Sequence, residues 1–422
     1  MCVDVNQALS RVNVFGAAST LNVYVREIAD YYWSPEFRGY SARIFNGLSS
    51  PEKLTCGSRN LVIPTLIPAR TISPNPTATS MPGNRFGPHS GTLNHSTAST
   101  IKMYPANLTV ADFIAEAEFI NPYSKSENGW DYGFLFRRSS SRFDIVIVNS
   151  SGRWEHRFRS GVSDQKDETV ESGFLTAFGS GAFNTSTRGS NILKLVVVGN
   201  NGWLFVNGLH VGTLNLGSSV TSGDVLVSSG YFDGNQVAGA ATAYQNFSVT
   251  PLTKRHGPQS GSLVAVSGLV SAQSSGLFVK DAVVEARFFN PTPSQDRWSY
   301  GFQIRKQGPN SFDAIVVSSN KGQFSNQNSW FHYSRTGSAE SSVLLDSGLV
   351  SSFNTELRDS NKLIVIVIRD EGWLFVNGTL VSKLNMGSLS TLSNIQAVAG
   401  YFSGSEDPGT VTQFQEFAVW SP

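Results

Sequence analysis

Charge is scarce in this chain. Its 422 residues include 32 Lys and Arg against 31 Asp and Glu, so 15% of positions are charged and the net charge is +1. A soluble domain ordinarily carries about a quarter. There is no basic stripe to follow a nucleic-acid backbone and no acidic tail, so the charge points away from nucleic acid as a partner. No stretch of about 18 apolar residues appears either, so no membrane-spanning helix is expected. The opening MCVDVNQALSRVNVFGAAST lacks the basic-then-apolar layout of a secretory leader. That leaves a removed leader, another export route and a cytosolic location all open.

Cysteine is nearly missing, with only Cys2 and Cys56. They form either one disulfide, which would tie the N-terminal segment together and imply an oxidising compartment, or two separate thiols. With no CxxC and no nearby His spacing, the pair does not read as a metal site. Catalytic signatures are also lacking: no G-x-S-x-G elbow, no H-E-x-x-H, and six His too scattered to nominate one. No amphipathic helical pattern of useful length occurs, so no glycine loop opens a helix to cradle a phosphate.

What the chain does have is repetition. GWLFVNG stands at Gly202–Gly208 and again at Gly372–Gly378. In the same order, GPHSG returns as GPQSG, NPYSKSENGWDYGFLFR as NPTPSQDRWSYGFQIR, RFDIVIVNS as SFDAIVVSS, and WEHRFRSG as WFHYSRTG. FNT and GYF follow the same order. Two copies of one domain of about 165 residues account for the chain from Arg85 onward.

Each copy reads as strands. FDIVIV, LKLVVV, LIVIVI and WLFVNG are β-branched or aromatic runs bounded by Gly, Asn and Ser. NNG and DEG look like hairpin turns, and Asn207-Gly208 and Asn377-Gly378 offer the positive φ angles of a tight reversal. In the heptad Trp203 and Phe205 alternate with Leu204 and Val206, so both faces are apolar and one should lie between two sheets. The class expected is all-β sandwich.

With these residues in view, the repeats resemble the concanavalin A-like lectin/glucanase superfamily, nearest to its laminin-G-like and keto-disaccharide-hydrolase-like branches. The pattern is a strand ending GFxFR (Gly133–Arg137), a W-x-H stretch (Trp154–His156), the run from Asn191 to Gly208, and GYF (Gly230–Phe232), all repeated in the second half. The resemblance implies two tandem jelly-roll sandwiches behind a small irregular N-terminal segment, of the type appended to bacterial surface proteins. It covers about four fifths of the chain and none of residues 1–84. The organisation expected is an N-terminal extension over residues 1–70, a Pro/Thr/Ser linker over residues 71–84, and repeats over residues 85–252 and 256–422. The likeness is specific for fold and weak for activity, because this fold carries lectins, hydrolases and structural modules alike.

The E-x-D-x-x-E strand motif that glucanases of the superfamily use for a retaining carboxylate pair is missing. The nearest approach is Glu116 and Glu118, matched in the second copy by Glu285 and Arg287, which reads as exposed strand carboxylates. No cofactor is expected. Structural calcium is the one metal to ask about, at Asp131, Asp224 and Asp233, whose counterparts are Ser299, Asn394 and Ser403. The remaining candidates are polar and aromatic residues kept in both copies: Arg137, Asp144, Trp154 and His156, with Arg305, Asp313, Trp330 and His332. Packing alone does not demand repeated polar residues, and sugars bind on aromatic faces beside a few planar polar groups. Alternation puts Arg137 on the face opposite Phe134 and Phe136, whereas a Trp-x-His pair also suits half-buried core.

The expectation is a non-catalytic, secreted or cell-surface protein that binds glycan or mediates adhesion, with two sites gaining avidity on one polysaccharide surface. One alternative is a structural subunit of an extracellular filament or sheath, whose partners are copies of itself joined through the strand-like STLNVYVREI of the first 84 residues. A glycoside hydrolase is the other.

Overall fold

The computed structural model describes residues 85–95, 101–139, 142–160, 168–175, 182–217, 222–231, 237–266, 269–291, 297–306, 311–320, 328–335, 342–356, 358–387, 392–400 and 409–422. Cys2, Cys56, the extension over residues 1–70, the linker over residues 71–84 and Asp233 lie outside them. Among the described residues the regular elements are strands, with no helix.

The first repeat holds β1 (Phe86–Asn94), β2 (Lys102–Pro105), β3 (Phe113–Ile120), β4 (Asp131–Ser139), β5 (Arg142–Asn149) and β6 (Arg153–Ser160). It continues with β7 (Glu168–Phe174), β8 (Ser190–Val198), β9 (Asn201–Val206), β10 (Leu209–Asn215), β11 (Asp224–Ser229) and β12 (Ala241–Pro251). The second holds β13 (Thr253–Val264), β14 (Ser271–Val279), β15 (Ala282–Phe289), β16 (Arg297–Lys306), β17 (Phe312–Asn320) and β18 (Ser329–Arg335). Its remaining strands are β19 (Val343–Leu349), β20 (Ser360–Ile368), β21 (Glu371–Val376), β22 (Thr379–Asn385), β23 (Ser393–Ala399) and β24 (Val411–Ser421).

Each repeat is a sandwich of two six-stranded antiparallel sheets. The back sheet of the first runs β1-β12-β3-β8-β9-β10 and the front sheet β2-β11-β4-β5-β6-β7. The second repeats both orders strand for strand, as β13-β24-β15-β20-β21-β22 and β14-β23-β16-β17-β18-β19. The duplication read from the motifs is thus a duplication of topology. A single residue, the buried Leu252, separates β12 from β13, so the second sandwich starts at Thr253 rather than after a short connector.

Period-two burial builds the core. In β3 Phe113, Ala115, Ala117 and Phe119 face inward while Glu116 and Glu118 face out. Inside, Tyr132 stacks on Phe119 at 4.6 Å, and its hydroxyl donates to Asn121 Oδ1 and accepts from Asn191 Nδ2. Tyr300, Phe288, Asn290 and Asn361 repeat this arrangement. These Asn side chains also donate to backbone carbonyls of the loop before β8 or β20, so the buried polar groups are satisfied.

The heptad owes its double appearance to two burials. Leu204 and Val206 enter the first core, and Leu374 and Val376 the second. Trp203, Phe205, Trp373 and Phe375 point the other way and meet one another in a third cluster between the repeats. Phe205 lies 4.4 Å from Trp373 and Trp203 lies 5.9 Å from Phe375, so each heptad's Trp meets the other's Phe. That reciprocity is the signature of a two-fold interface, here built within one chain. The turn is as the sequence suggests, with φ of 50° and 78° at Asn207 and Gly208 and 50° and 80° at Asn377 and Gly378. The other hairpin turns fall on Gly199-Asn200 and Arg369-Asp370, just ahead of the NNG and DEG glycines.

Candidate functional site

The eight side chains singled out by their repetition are all interior. Arg137 departs from the face that alternation assigned. Its φ of 52° and the shifted register between Phe136 and Ser139 turn the guanidinium inward. There it donates to Ala111 O and Gly199 O of the back-sheet side. Arg305, with φ of 54°, likewise donates to Met386, Gly387 and Arg369 carbonyls. Both arginines close an end of their sandwich by tying front sheet to back sheet. Burial pulls both below the usual guanidinium range, and neighbouring aspartates oppose it.

Trp154 packs within the first core. A Cβ on Gly173 would come within 2.6 Å of its ring, and one on Gly212 within 2.5 Å. His156 is fully buried, with Nε2 3.1 Å from Asp144 Oδ1 and Nδ1 2.7 Å from Glu171 Oε2. Burial alone would lower its pKa, but the two carboxylates raise it above the ordinary value. Glu171 Oε1 in turn accepts from Asn215 N, so this relay clasps β7 to β10 at the open edge. In the second repeat Trp330 and His332 are equally buried, but His332 stands 3.8 Å from Asp313 and neither ring nitrogen has a hydrogen bond among the described residues. Asp346, the counterpart of Glu171, is one methylene shorter and bonds Ser347 N instead. The structure thus brings His156 together with Asp144, and His332 near Asp313, while the arginines serve separate ends.

The other candidates resolve in the same way. Glu116 sits where the repeats meet, 3.3 Å from Lys194 and 3.6 Å from Arg369. Lys194 also pairs with Glu371 at 2.9 Å, and Lys383 with Glu371 at 2.7 Å. Burial would raise the Glu371 pKa, yet the bonds from Lys383 and Lys194 hold it below the usual carboxylate value. Asp131 and Asp224 lie at opposite ends of the paired β4 and β11. Asp131 accepts from Gly230 N and Tyr231 N, and Asp224 from Leu108 N. Among the described residues no group of three or more His, Cys, Asp or Glu is placed to hold a metal ion.

The outward faces of the two front sheets were not visible as candidates in the sequence, because there the repeats differ. In the second repeat Phe331 and Tyr333 alternate with the buried Trp330 and His332, and their rings lie 5.9 Å apart at 22°. Across β17 in the same sheet, Lys306 Nζ donates to Gln396 Oε1 at 2.8 Å and to Gln303 Oε1 at 3.3 Å. Burial lowers the Lys306 pKa. The first repeat has Leu135 and Leu226 at the two Gln positions, Arg138 at the Lys position, and Glu155 and Arg157 at the aromatic positions. On that side of its sheet lies a buried apolar cluster of Leu135, Ile145, Ile147 and Leu226, with Phe143 and Tyr231. Arg159 lies over the Phe143 ring at 4.9 Å and Arg157 over the Tyr231 ring at 5.4 Å.

No protein-family model and no curated protein matches the chain. Solved structures do. A family 66 carbohydrate-binding module from Bacillus subtilis matches at 14% identity and a TM-score of 0.27, over 40% of this chain and 98% of its own. The mouse laminin alpha1 chain, domains LG4-5, matches at 10% identity and 0.23, over 78% of this chain and 91% of its own. A Bacillus licheniformis beta-glucanase matches at 14% identity and 0.27, over 39% and 78%. Likeness of this degree fixes no ligand and no reaction. The fold itself is shown by the strand order, two tandem jelly-roll sandwiches of six-stranded antiparallel sheets, the class expected from the sequence.

Proposed function

We propose that the protein is a non-catalytic glycan-binding protein, secreted or on the cell surface, that takes its ligands on the outward faces of the front sheets. The observation that carries this reading is the second repeat's face, where the stacked Phe331 and Tyr333 on β18 share a sheet with the linked Gln303, Lys306 and Gln396 on β16 and β23, across the intervening β17. Aromatic rings offer the apolar side of a pyranose a flat contact, and preset amide and ammonium groups sort its hydroxyls. The pairing of Glu116 with Lys194 and Arg369 supports a non-catalytic role, since it engages one of the two β3 carboxylates as an interface element. Affinity electrophoresis and calorimetry with laminarin, levan and mannan test the reading. At least one should bind, and Phe331→Ala/Tyr333→Ala should weaken it by about tenfold or more. Binding by none of these neutral glycans, or binding untouched by the double substitution, overturns it.

One observation favours a second reading, an assembly subunit. The edge strand β19 exposes Val343 (59%), Leu344 (48%), Leu345 (50%) and Leu349 (61%). An unpaired apolar edge is a template for strand addition. Sedimentation of wild type and Leu345→Lys separates the readings, because polymers that the lysine dissolves would make β19 an assembly contact.

A further inference from the structure

The sheets of the two repeats stack in a fixed order. The outward faces of the two back sheets are buried against each other through Val196, Trp203, Phe205, Ile366, Trp373 and Phe375. The layers therefore run front, back, back, front, and the two front faces look in opposite directions. With about 10 Å between packed sheets, those faces stand about 30 Å apart across the molecule. One surface cannot meet both of them at once, so the duplication does not serve avidity on a single surface.

The two faces also differ chemically. β6 turns Arg153, Glu155, Arg157 and Arg159 outward along its length, and on β4 Arg138 stands at the Arg159 end of the sheet. The matching residues of the second repeat are Ser329, Phe331, Tyr333, Arg335 and Lys306. Four guanidiniums against one carboxylate thus replace two cations, one of which is engaged by two Gln side chains. Several of these guanidiniums are held in place. Arg157 donates to Glu155 Oε2 at 2.8 Å, Arg153 to Ser172 Oγ at 2.9 Å, and Arg138 to Met103 Sδ at 3.2 Å. Planar, pre-set guanidinium forks suit sulfate or carboxylate oxygens, and the first repeat has lost the amides that would sort neutral hydroxyls.

Resting on the glycan-binding reading above, we infer that the protein bridges two separate polymers, an acidic polysaccharide on the first repeat and a neutral one on the second. The shared chemistry of the first ligand is a row of anionic oxygens on a sugar chain, whether sulfate or uronate.

The full chain tests this with dextran sulfate as the sulfated probe and polygalacturonate as the uronate probe. One or both should bind, with affinity falling steeply as salt rises. Arg153→Ser/Arg157→Tyr, which installs the second repeat's own residues, should weaken that binding by about tenfold or more, with the fold checked by circular dichroism. Beads bearing the neutral glycan should then capture fluorescent acidic polymer only when wild-type protein is added. Binding of a neutral glycan without either acidic probe overturns the inference and leaves the glycan-binding reading standing. Acidic binding indifferent to the double substitution, or competition between the two polymers, also overturns it. Acidic binding with no neutral ligand defeats both the bridge and the reading of the second repeat.

Discussion

Replacing Trp373 by Ala tests the back-to-back arrangement on which the opposed faces depend. The ring is fully buried, 4.4 Å from Phe205, with the Lys194 and Lys383 ammonium groups 5.5 and 5.9 Å from it. Truncating a buried Trp ordinarily costs about 3–5 kcal/mol. Losing two cation–π contacts belongs at the upper end of that range, at about 0.5–1 kcal/mol each. Against this, Trp373 Nε1 is buried without a hydrogen-bond partner among the described residues, and removing it recovers about 1 kcal/mol. The net expectation is about 3–4 kcal/mol. Trp203 is the internal control. Its Phe partner is 5.9 Å away, so Trp203→Ala should cost less, at the lower end of the range, about 3 kcal/mol. Urea unfolding followed by far-ultraviolet dichroism measures both. A loss below about 1 kcal/mol for Trp373→Ala, or a larger loss for Trp203→Ala, would refute the reciprocal packing.

Two histidines set opposite pH dependences. His156 has its folded pKa raised, so its contribution is complete below the unfolded value of 6.5 and fades as pH rises through the folded value; the fall in Tm on the alkaline side should be smaller in His156→Gln, and an unchanged fall would count against the clasp. His210 lies against Phe375 at 5.0 Å, and burial lowers its pKa to about 4, so stability should fall as pH drops from 6.5 toward 4. His210→Leu, which installs the counterpart Leu380, should flatten the acid limb of a Tm profile, and an equally steep limb would deny His210 that role. Tyr132→Phe removes the hydroxyl that joins Asn121 to Asn191 and should cost about 1–3 kcal/mol by urea unfolding; no loss would mean the three groups do not form one network.

Much of the fold was legible because burial writes a period into sequence. The strands around FDIVIV and LKLVVV and the Asn-Gly reversals could be read from residue type alone, and the alternation in WLFV placed one apolar face between two sheets and left the other apolar face unassigned. What lay on the second face could not be read. Trp203 and Phe205 ask for a cover of any kind, and only three-dimensional packing shows that Phe375 and Trp373 provide it. Arg137 was misplaced for a related reason. Alternation holds only while the strand stays regular, and a single positive φ sends the side chain to the other side.

The proposed ligand faces are hidden in the sequence because repetition marks the fold and not the ligand. Two copies of one fold retain in common what the fold needs: Arg137 and Arg305 closing sandwich ends, Tyr132 and Tyr300 holding paired asparagines, and buried Trp154 and Trp330. Ligand choice is free to differ between copies once each faces its own side of the molecule. Positions where burial pattern is preserved and chemistry is not, such as Leu135 against Gln303 or Arg157 against Tyr333, are where duplication has left room for a second task. The core explains why the chain is twofold, and the divergence of the two outer faces gives that twofold shape something to do.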